Sequence, residues 1–328
     1  MKKRNHLLIF TAAVSFLFLF SCGNKKLQSE AADVKMVIPE LEPVNLKNRK
    51  LAVSATTSII GDIISEVAGD RADVSVIIPR GSNPHSFSVS AGNVAELETS
   101  DVIFVNGLSL EQKLLPVLES LKNVPVVPVS AGLEGNNPHF WFSIKNVSVW
   151  TDNISDVLSL LDPVNSDFYK TNAEKYKNHL KETDREIINL FKPIPPGNRK
   201  LITGHADLEY FARDYQIKII GNVIPSFSDQ SEPSAREIAA LIDTVKKENA
   251  GVICIGGTAG ENLKKLARTV AEESGRNIRI VEILTGSLTK SGTEGCTYTG
   301  FMLYNSRKIA QALKSFSDSE NFGEYTNE

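Results

Sequence analysis

From Asp162 to Pro193 the chain reads DPVNSDFYKTNAEKYKNHLKETDREIINLFKP. Apolar and small residues recur there at three- and four-residue steps: Tyr169, Ala173, Tyr176, Leu180, Thr183, Ile187 and Leu190. That spacing lays one stripe along an α-helix. Asp162 suits the N-cap and Pro163 the first helical position, and Pro193 ends the run. About thirty residues at 1.5 Å each make a rod of roughly 45 Å. One small lobe does not need so long a helix, so the segment 162–192 predicts two lobes with the rod running across both.

Both flanks carry the alternation that such a rod would join. Before it, LAVSA, DVSVIIP, DVIFVNG and VPVVPVS read as strands. They alternate with the helical stretches SIIGDIISEVAG, AGNVAELETS and LEQKLLPVLESLKN, and a helix at 148–161 follows. After the rod, KLITG, IKIIGNVI, GVICIGG and NIRIVEIL are the strands. DLEYFARDY, SAREIAALIDTVKKENA, GENLKKLARTVAEES and YTGFMLYNSRKIAQALKSF are the helices of that half. Strands and helices alternating at this interval predict parallel pairing with helices on both faces. The expected fold class is α/β: two lobes, each a mainly parallel sheet flanked by helices, joined by one long helix. The lobes span 50–161 and 193–328.

The first residues belong to neither lobe. MKKRN is a basic start, and HLLIFTAAVSFLFLF is an apolar run too short to span a bilayer comfortably. It ends in LFSCGNKK, which resembles a bacterial lipobox, with Phe20 bulkier than usual at its position. The expectation is a lipoprotein signal peptide over 1–21, lipidation of Cys22, a polar tether over 22–49, and export to the outer face of the cell membrane. A net charge of −3 carries no broad basic balance, so nucleic acid is not an expected partner. Cys254 and Cys296 remain, and an exported protein can either pair them or keep both as thiols.

Five histidines occur in the chain, and two of them close the same tripeptide, Asn83-Pro84-His85 and Asn137-Pro138-His139. Proline stiffens each turn and keeps its histidine off a helix. His85 follows the strand DVSVIIP, His139 follows VPVVPVS, and His205 follows KLITG. Ligands of open parallel sheets bind beyond the carboxyl ends of the strands. Any one of these residues is as readily a surface-loop or helix-capping histidine. All three at strand ends, two in one lobe and one in the other, point to the cleft between the lobes. His6 lies in the signal segment, and His179 falls off the stripe of the long helix.

From about Lys50 to Phe316 the sequence resembles the solute-binding proteins of zinc and manganese ABC importers, the cluster A-I metal receptors. The resemblance is carried by GSNPHSFSVSAGNVAELETSDVIFVNGLSLE, NPHFWFSIKNV, TGHADLEYFARDYQIKIIG, SEPSAREIAALI and TYTGFMLYN, together with the long helix. It implies that His85, His139 and His205 are the first three metal ligands. It also implies as partners a membrane permease and its ATPase, reached by a lipid-anchored monomer. Three neutral imidazoles suit Zn²⁺ better than Mn²⁺, which prefers oxygen ligands, so Zn²⁺ is the expected cargo with Mn²⁺ (or iron) as the alternative. Asp167, Asp184, Trp141 and Phe142 read as structural. The long helix leaves capture to local loop movement.

Two departures stand out. The histidine- and acid-rich loop of many zinc receptors is absent before the second tripeptide, where only GLEGNN stands. The family's fourth ligand is often an aspartate, and this chain reads LTGSL there, with Gly286 in its place. A water or solvent anion, Glu294 or Cys296 are the candidates to fill the position, the last two on a glycine-rich stretch able to bend inward. An enzyme is the other reading, because catalytic zinc also uses three protein ligands and an open position. Its base would come from Asp207, Glu209 or Glu294, and no catalytic motif accompanies them. A related receptor for siderophore, haem or cobalamin is disfavoured by the histidines.

Overall fold

The computed structural model describes residues 36–324 apart from Arg276, with side chains through Asp318. The signal segment and Cys22 lie outside the described residues. Four strands, β1 (Leu51–Ala55), β2 (Ala72–Val76), β3 (Val102–Val105) and β4 (Val126–Pro128), form the first sheet in the order β2-β1-β3-β4. A second sheet of β5 (Lys200–Thr203), β6 (Lys218–Asn222), β7 (Val252–Gly256) and β8 (Arg279–Ile283) has the order β6-β5-β7-β8. Every pairing is parallel. The two lobes thus repeat one topology, and in each the strand order reverses beside its first strand, the place where open α/β sheets hold ligands.

Helices α1 (Ser58–Ala68), α2 (Ala91–Glu98), α3 (Leu115–Ser120) and α4 (Ile144–Leu161) belong to the first lobe. Helix α5 (Ser166–Phe191) follows, and α6 (Glu209–Asp214), α7 (Ala235–Glu248), α8 (Glu261–Glu273) and α9 (Tyr298–Glu324) complete the second. Side chains start several of them. The Thr57 hydroxyl accepts the Ile60 N–H at 3.3 Å, and Ser90 with Asn93 and Ser234 with Glu237 form reciprocal capping boxes. Helix α3 is shorter than the 110–123 stretch read from the sequence. Pro116 sits in its first turn, and the residues ahead of it run through turns.

The long helix is present with a later start. Asp162 caps the end of α4, Pro163–Asn165 make a 3₁₀ turn, and α5 begins at Ser166. Tyr169 and Asn165 donate to the Asp162 carboxylate at 2.8 and 2.7 Å, so that side chain holds a corner between two helices and does not open one. At 26 residues α5 is about 39 Å long. Its buried stripe is Tyr169, Ala173, Tyr176, Leu180, Thr183, Ile187 and Phe191, with Leu190 only half-buried.

That stripe packs against α1 and α4 of the first lobe and α9 of the second. One core therefore continues from Val53 and Ile60 through Trp150 and Leu180 to Phe211, Val252 and Phe301. The outer face of each sheet has its own cluster, around Ile103 and Leu114 in one and Ile253 and Leu241 in the other. The packed chain starts before Lys50: Met36, Ile38, Leu41, Val44 and Leu46, read from the sequence as tether, lie on the core, and the Val44 N–H donates to the Leu161 carbonyl at 2.8 Å. Among the described residues no helix is long and apolar enough to cross a membrane.

Candidate metal centre

The repeated tripeptide is one local device used twice. The Asn83 side-chain oxygen accepts the backbone N–H of His85 at 3.0 Å, and that of Asn137 accepts the N–H of His139 at 3.1 Å. Such side-chain turns fix the histidine two residues on. Each asparagine then spends its amide on the opposite lobe. Asn83 Nδ2 donates to Asp229 at 2.6 Å, and Asn137 Nδ2 donates to the Ala206 carbonyl and to Glu209, both at 2.9 Å. The sequence marks these residues for stiffness, but their bridging role depends on where the second lobe lies.

His205 stands two residues past β5, on the turn that Asn137 grips. The three imidazoles meet: His139 Nε2 is 3.2 Å from His85 Nε2 and 3.2 Å from His205 Nε2. Among the described residues they are the one cluster whose ligand atoms lie together, all within 4.8 Å. A cation about 2.0–2.1 Å from each nitrogen in a tetrahedron would hold them about 3.3 Å apart, close to the two separations of 3.2 Å that His139 makes. The His139 Nδ1 is 2.7 Å from the Asn137 oxygen, which makes Nδ1 the protonated nitrogen and leaves the Nε2 lone pair facing its neighbours. His205 Nδ1 has Asp207 at 3.6 Å behind it.

Burial keeps all three rings neutral. It lowers His85 to about 4, helped by the charge of His205, and lowers His205 to about 4, while the nearby Asp229 opposes the shift in both. His139 lies well below its ordinary value through burial and its two neighbours. Neutral imidazoles are metal ligands without first losing a proton. Asp207, fully enclosed, is pushed up to about 8 by the same desolvation. The three rings line a cavity of about 10 Å³, the room of a single ion or water, together with Trp141, Asp229 and Gly286. Trp141 stacks edge-on to His139 and donates its indole N–H to the Thr285 carbonyl at 2.7 Å, packing one lobe on the other.

The loop after β8 does not bend into the cavity. Arg80 donates to the carbonyls of Thr289 and Cys296 at 3.1 and 2.6 Å, and the Gly81 N–H donates to Ser287 at 2.8 Å. So pinned, it leaves Glu294 exposed beside Arg307 at 3.3 Å and Cys296 half-buried, neither of them lining the cavity. Both Cys254 and Cys296 are free thiols. Gly286 does line the cavity, and a Cβ there would come within 2.6 Å of Pro84. The tripeptide turn itself fills the space that a side chain would need. Asp229, which the sequence reading passed over, had a usable signal: it lies beyond the carboxyl end of β6, where ligands of such sheets gather.

The chain is similar to several known proteins. A family model described as ZnuA, zinc-uptake complex component A, periplasmic, matches residues 53–312. The chain belongs to the ZnuA family. Relatives of this ZnuA-family chain cover most of its length. A metal ABC transporter substrate-binding lipoprotein of Lactococcus lactis is 28% identical over 330 residues, covering 95% of this chain and 98% of that protein. The manganese ABC transporter substrate-binding lipoprotein PsaA of Streptococcus mitis is 30% identical over 284 residues, 81% of this chain and 90% of that one. Among solved structures, the periplasmic zinc-binding protein TroA of Treponema pallidum superposes with a TM-score of 0.75 at 26% identity, over 80% of this chain and 99% of TroA. A Mn-bound periplasmic metal-binding protein of Candidatus Liberibacter asiaticus gives 0.73 at 25% identity, over 80% of this chain and all of that one. The expected family and fold class both hold.

Proposed function

We propose that this chain is the extracytoplasmic receptor of a metal ABC importer. It takes one divalent cation between its lobes through His85, His139 and His205 and delivers it to a membrane permease driven by a cytoplasmic ATPase. It is a binding protein and not an enzyme. The observation that carries the reading is the convergence of three Nε2 atoms, two from one lobe and one from the other, on a cavity of ionic size. Three neutral imidazoles favour Zn²⁺; the PsaA relatives, named for manganese, make Mn²⁺ the alternative cargo. The carboxylates that an enzyme would need as a base are otherwise engaged, Asp207 enclosed behind His205, Glu209 held by Asn137 and Glu294 by Arg307.

Capture follows from how the lobes are tied. Helix α5 is fixed to both, by Asn172 to the Val67 carbonyl at 3.2 Å and by Tyr215 to Asp184 at 2.9 Å. A cation therefore enters through parting of the turns at 80–85 and 285–289, with the rod unbent. Lipidation of Cys22 would hold the receptor at the membrane, in keeping with the lipobox-like LFSC and with relatives named lipoproteins. Elemental analysis of protein purified without added metal, followed by calorimetric titration with Zn²⁺ and Mn²⁺, tests the proposal. We expect about one ion per chain, Zn²⁺ bound more tightly than Mn²⁺, and no measurable binding in His139→Ala. A wild-type protein that takes up neither ion would overturn the receptor reading, and tighter Mn²⁺ binding would reverse the choice of cargo.

A further inference from the structure

Three neutral ligands leave a bound divalent cation with its full charge inside a mostly enclosed cavity. A buried net charge is costly unless something anionic stands near it. Gly286 brings no charge, and the Pro84 ring blocks a side chain there. Glu294 is committed to Arg307 outside the cavity, and Cys296 is not part of the lining. Asp207 lies behind His205, on the side away from the converging Nε2 atoms. One carboxylate is left that faces the cavity, that of Asp229.

Asp229 is held where a counter-charge should stand. Its Oδ2 accepts from Asn83 Nδ2 at 2.6 Å, and Asn83 also fixes His85, so the carboxylate and the first ligand share one anchor. Its Oδ1 accepts from Gln230 Nε2 at 2.8 Å. The loop that carries it is tied to the third ligand's turn, because the Ala206 N–H donates to the Ser226 carbonyl at 2.9 Å. Ser226 in turn accepts the Ser228 N–H at 3.2 Å and lies 2.9 Å from the Ser231 hydroxyl, which keeps the loop folded inward. A carboxylate has about four acceptor positions, so both oxygens retain capacity beyond these bonds. Asp229 lines the cavity without joining the cluster of ligand atoms that the three histidines form.

We infer that Asp229 is the counter-charge of this metal site, accepting a hydrogen bond from a water that completes the cation's fourth position. The inference rests on the receptor reading. It assigns the anionic role to the loop between β6 and α7, in place of the loop after β8 that supplies the family's aspartate. The carboxylate then offsets half of the cation's charge without displacing any imidazole. Because it comes from the second lobe and is anchored on the first, it also joins the lobes when the cation is in place.

The test is calorimetric titration of Zn²⁺ into wild type, Asp229→Asn, Asp229→Ser, Glu294→Gln and His139→Ala, with thermal unfolding of each apoprotein as the check on folding. Asp229→Asn keeps the shape and an acceptor for Asn83 and removes only the charge. We expect Asp229→Asn and Asp229→Ser to bind about 10–100-fold more weakly, the usual cost of losing an outer partner of a metal site, and Glu294→Gln to match wild type. Added acetate should recover part of the loss in Asp229→Ser, where the missing anion leaves space. Wild-type affinity in a folded Asp229→Asn, beside a His139→Ala that binds nothing, would overturn the counter-charge and leave the receptor intact. A wild type that binds no cation overturns both.

Discussion

Asn137→Ala should cost metal affinity without touching a ligand. The side chain is buried and makes four hydrogen bonds: it accepts from the His139 backbone and ring, and it donates to Ala206 and Glu209. Truncation frees the His139 ring to take the other tautomer, which turns an N–H toward the cation and cannot bind it. It also unties the turn bearing His205. Losing an outer partner of a ligand histidine weakens metal binding about 10–100-fold, or about 1.4–2.8 kcal/mol. Leaving the buried partners unpaired should lower the stability of the apoprotein by about 2–4 kcal/mol as well. Asn137→Asp separates the two effects. It keeps the acceptor for His139, so affinity should stay within about threefold, while its charge beside Glu209 and the Ala206 carbonyl should lower the unfolding temperature. Calorimetric titration and thermal unfolding of both variants read the outcome. If folded Asn137→Ala binds Zn²⁺ as wild type does, the tautomer argument fails.

Gly286→Asp should weaken zinc binding and lower the unfolding temperature, because its Cβ collides with Pro84 and pushes the His85 turn aside; improved affinity would show that the turn yields freely. Zinc affinity should change little between pH 7.5 and 5.5 and fall steeply only as His85 and His205 approach their folded-state values of about 4. Imidazoles with ordinary values near 6.5 would each cost about tenfold by pH 5.5, so a steep loss in that window, measured by chelator competition, refutes the neutral-ligand picture. Asp207→Asn should stabilise the apoprotein at pH 7.5 and leave it nearly unchanged at pH 4. The wild-type carboxyl keeps its proton up to about 8 when folded but releases it near 4 when unfolded, so its contribution to stability declines as pH rises through that range. The predicted gain is on the order of a few kcal/mol, read as an unfolding-temperature difference that widens with pH, and a constant difference would refute it.

Much of this architecture is legible along the chain because its causes are local. The stripe from Tyr169 to Ile187 is a helical period, the alternating strands and helices follow from the same kind of pattern, and proline and glycine mark the turns. His85, His139 and His205 are legible for a related reason: a residue just past a strand lands on the same edge of any parallel sheet. Boundaries were less so. Whether Asp162 opens a helix or holds a corner depends on Tyr169 and Asn165 reaching its carboxylate, a contact that its own preferences do not encode.

What tertiary structure alone decided is everything that depends on the two lobes facing each other. Asn83 and Asn137 are turn formers in the sequence, but their amides become bridges only where Asp229, Ala206 and Glu209 come across from the other lobe. Glu294 and Cys296 lie near the expected fourth position in sequence and yet are held outside it, because Arg80, far away along the chain, ties their loop down. Asp229 lies fifty-seven residues before Gly286 and shares its cavity. Periodicity and turn chemistry act over a few residues, so they specify elements and the edge on which a side chain lies. Charge and shape in a cleft are set by distance through space, and that is fixed only when both sheets have packed along one helix.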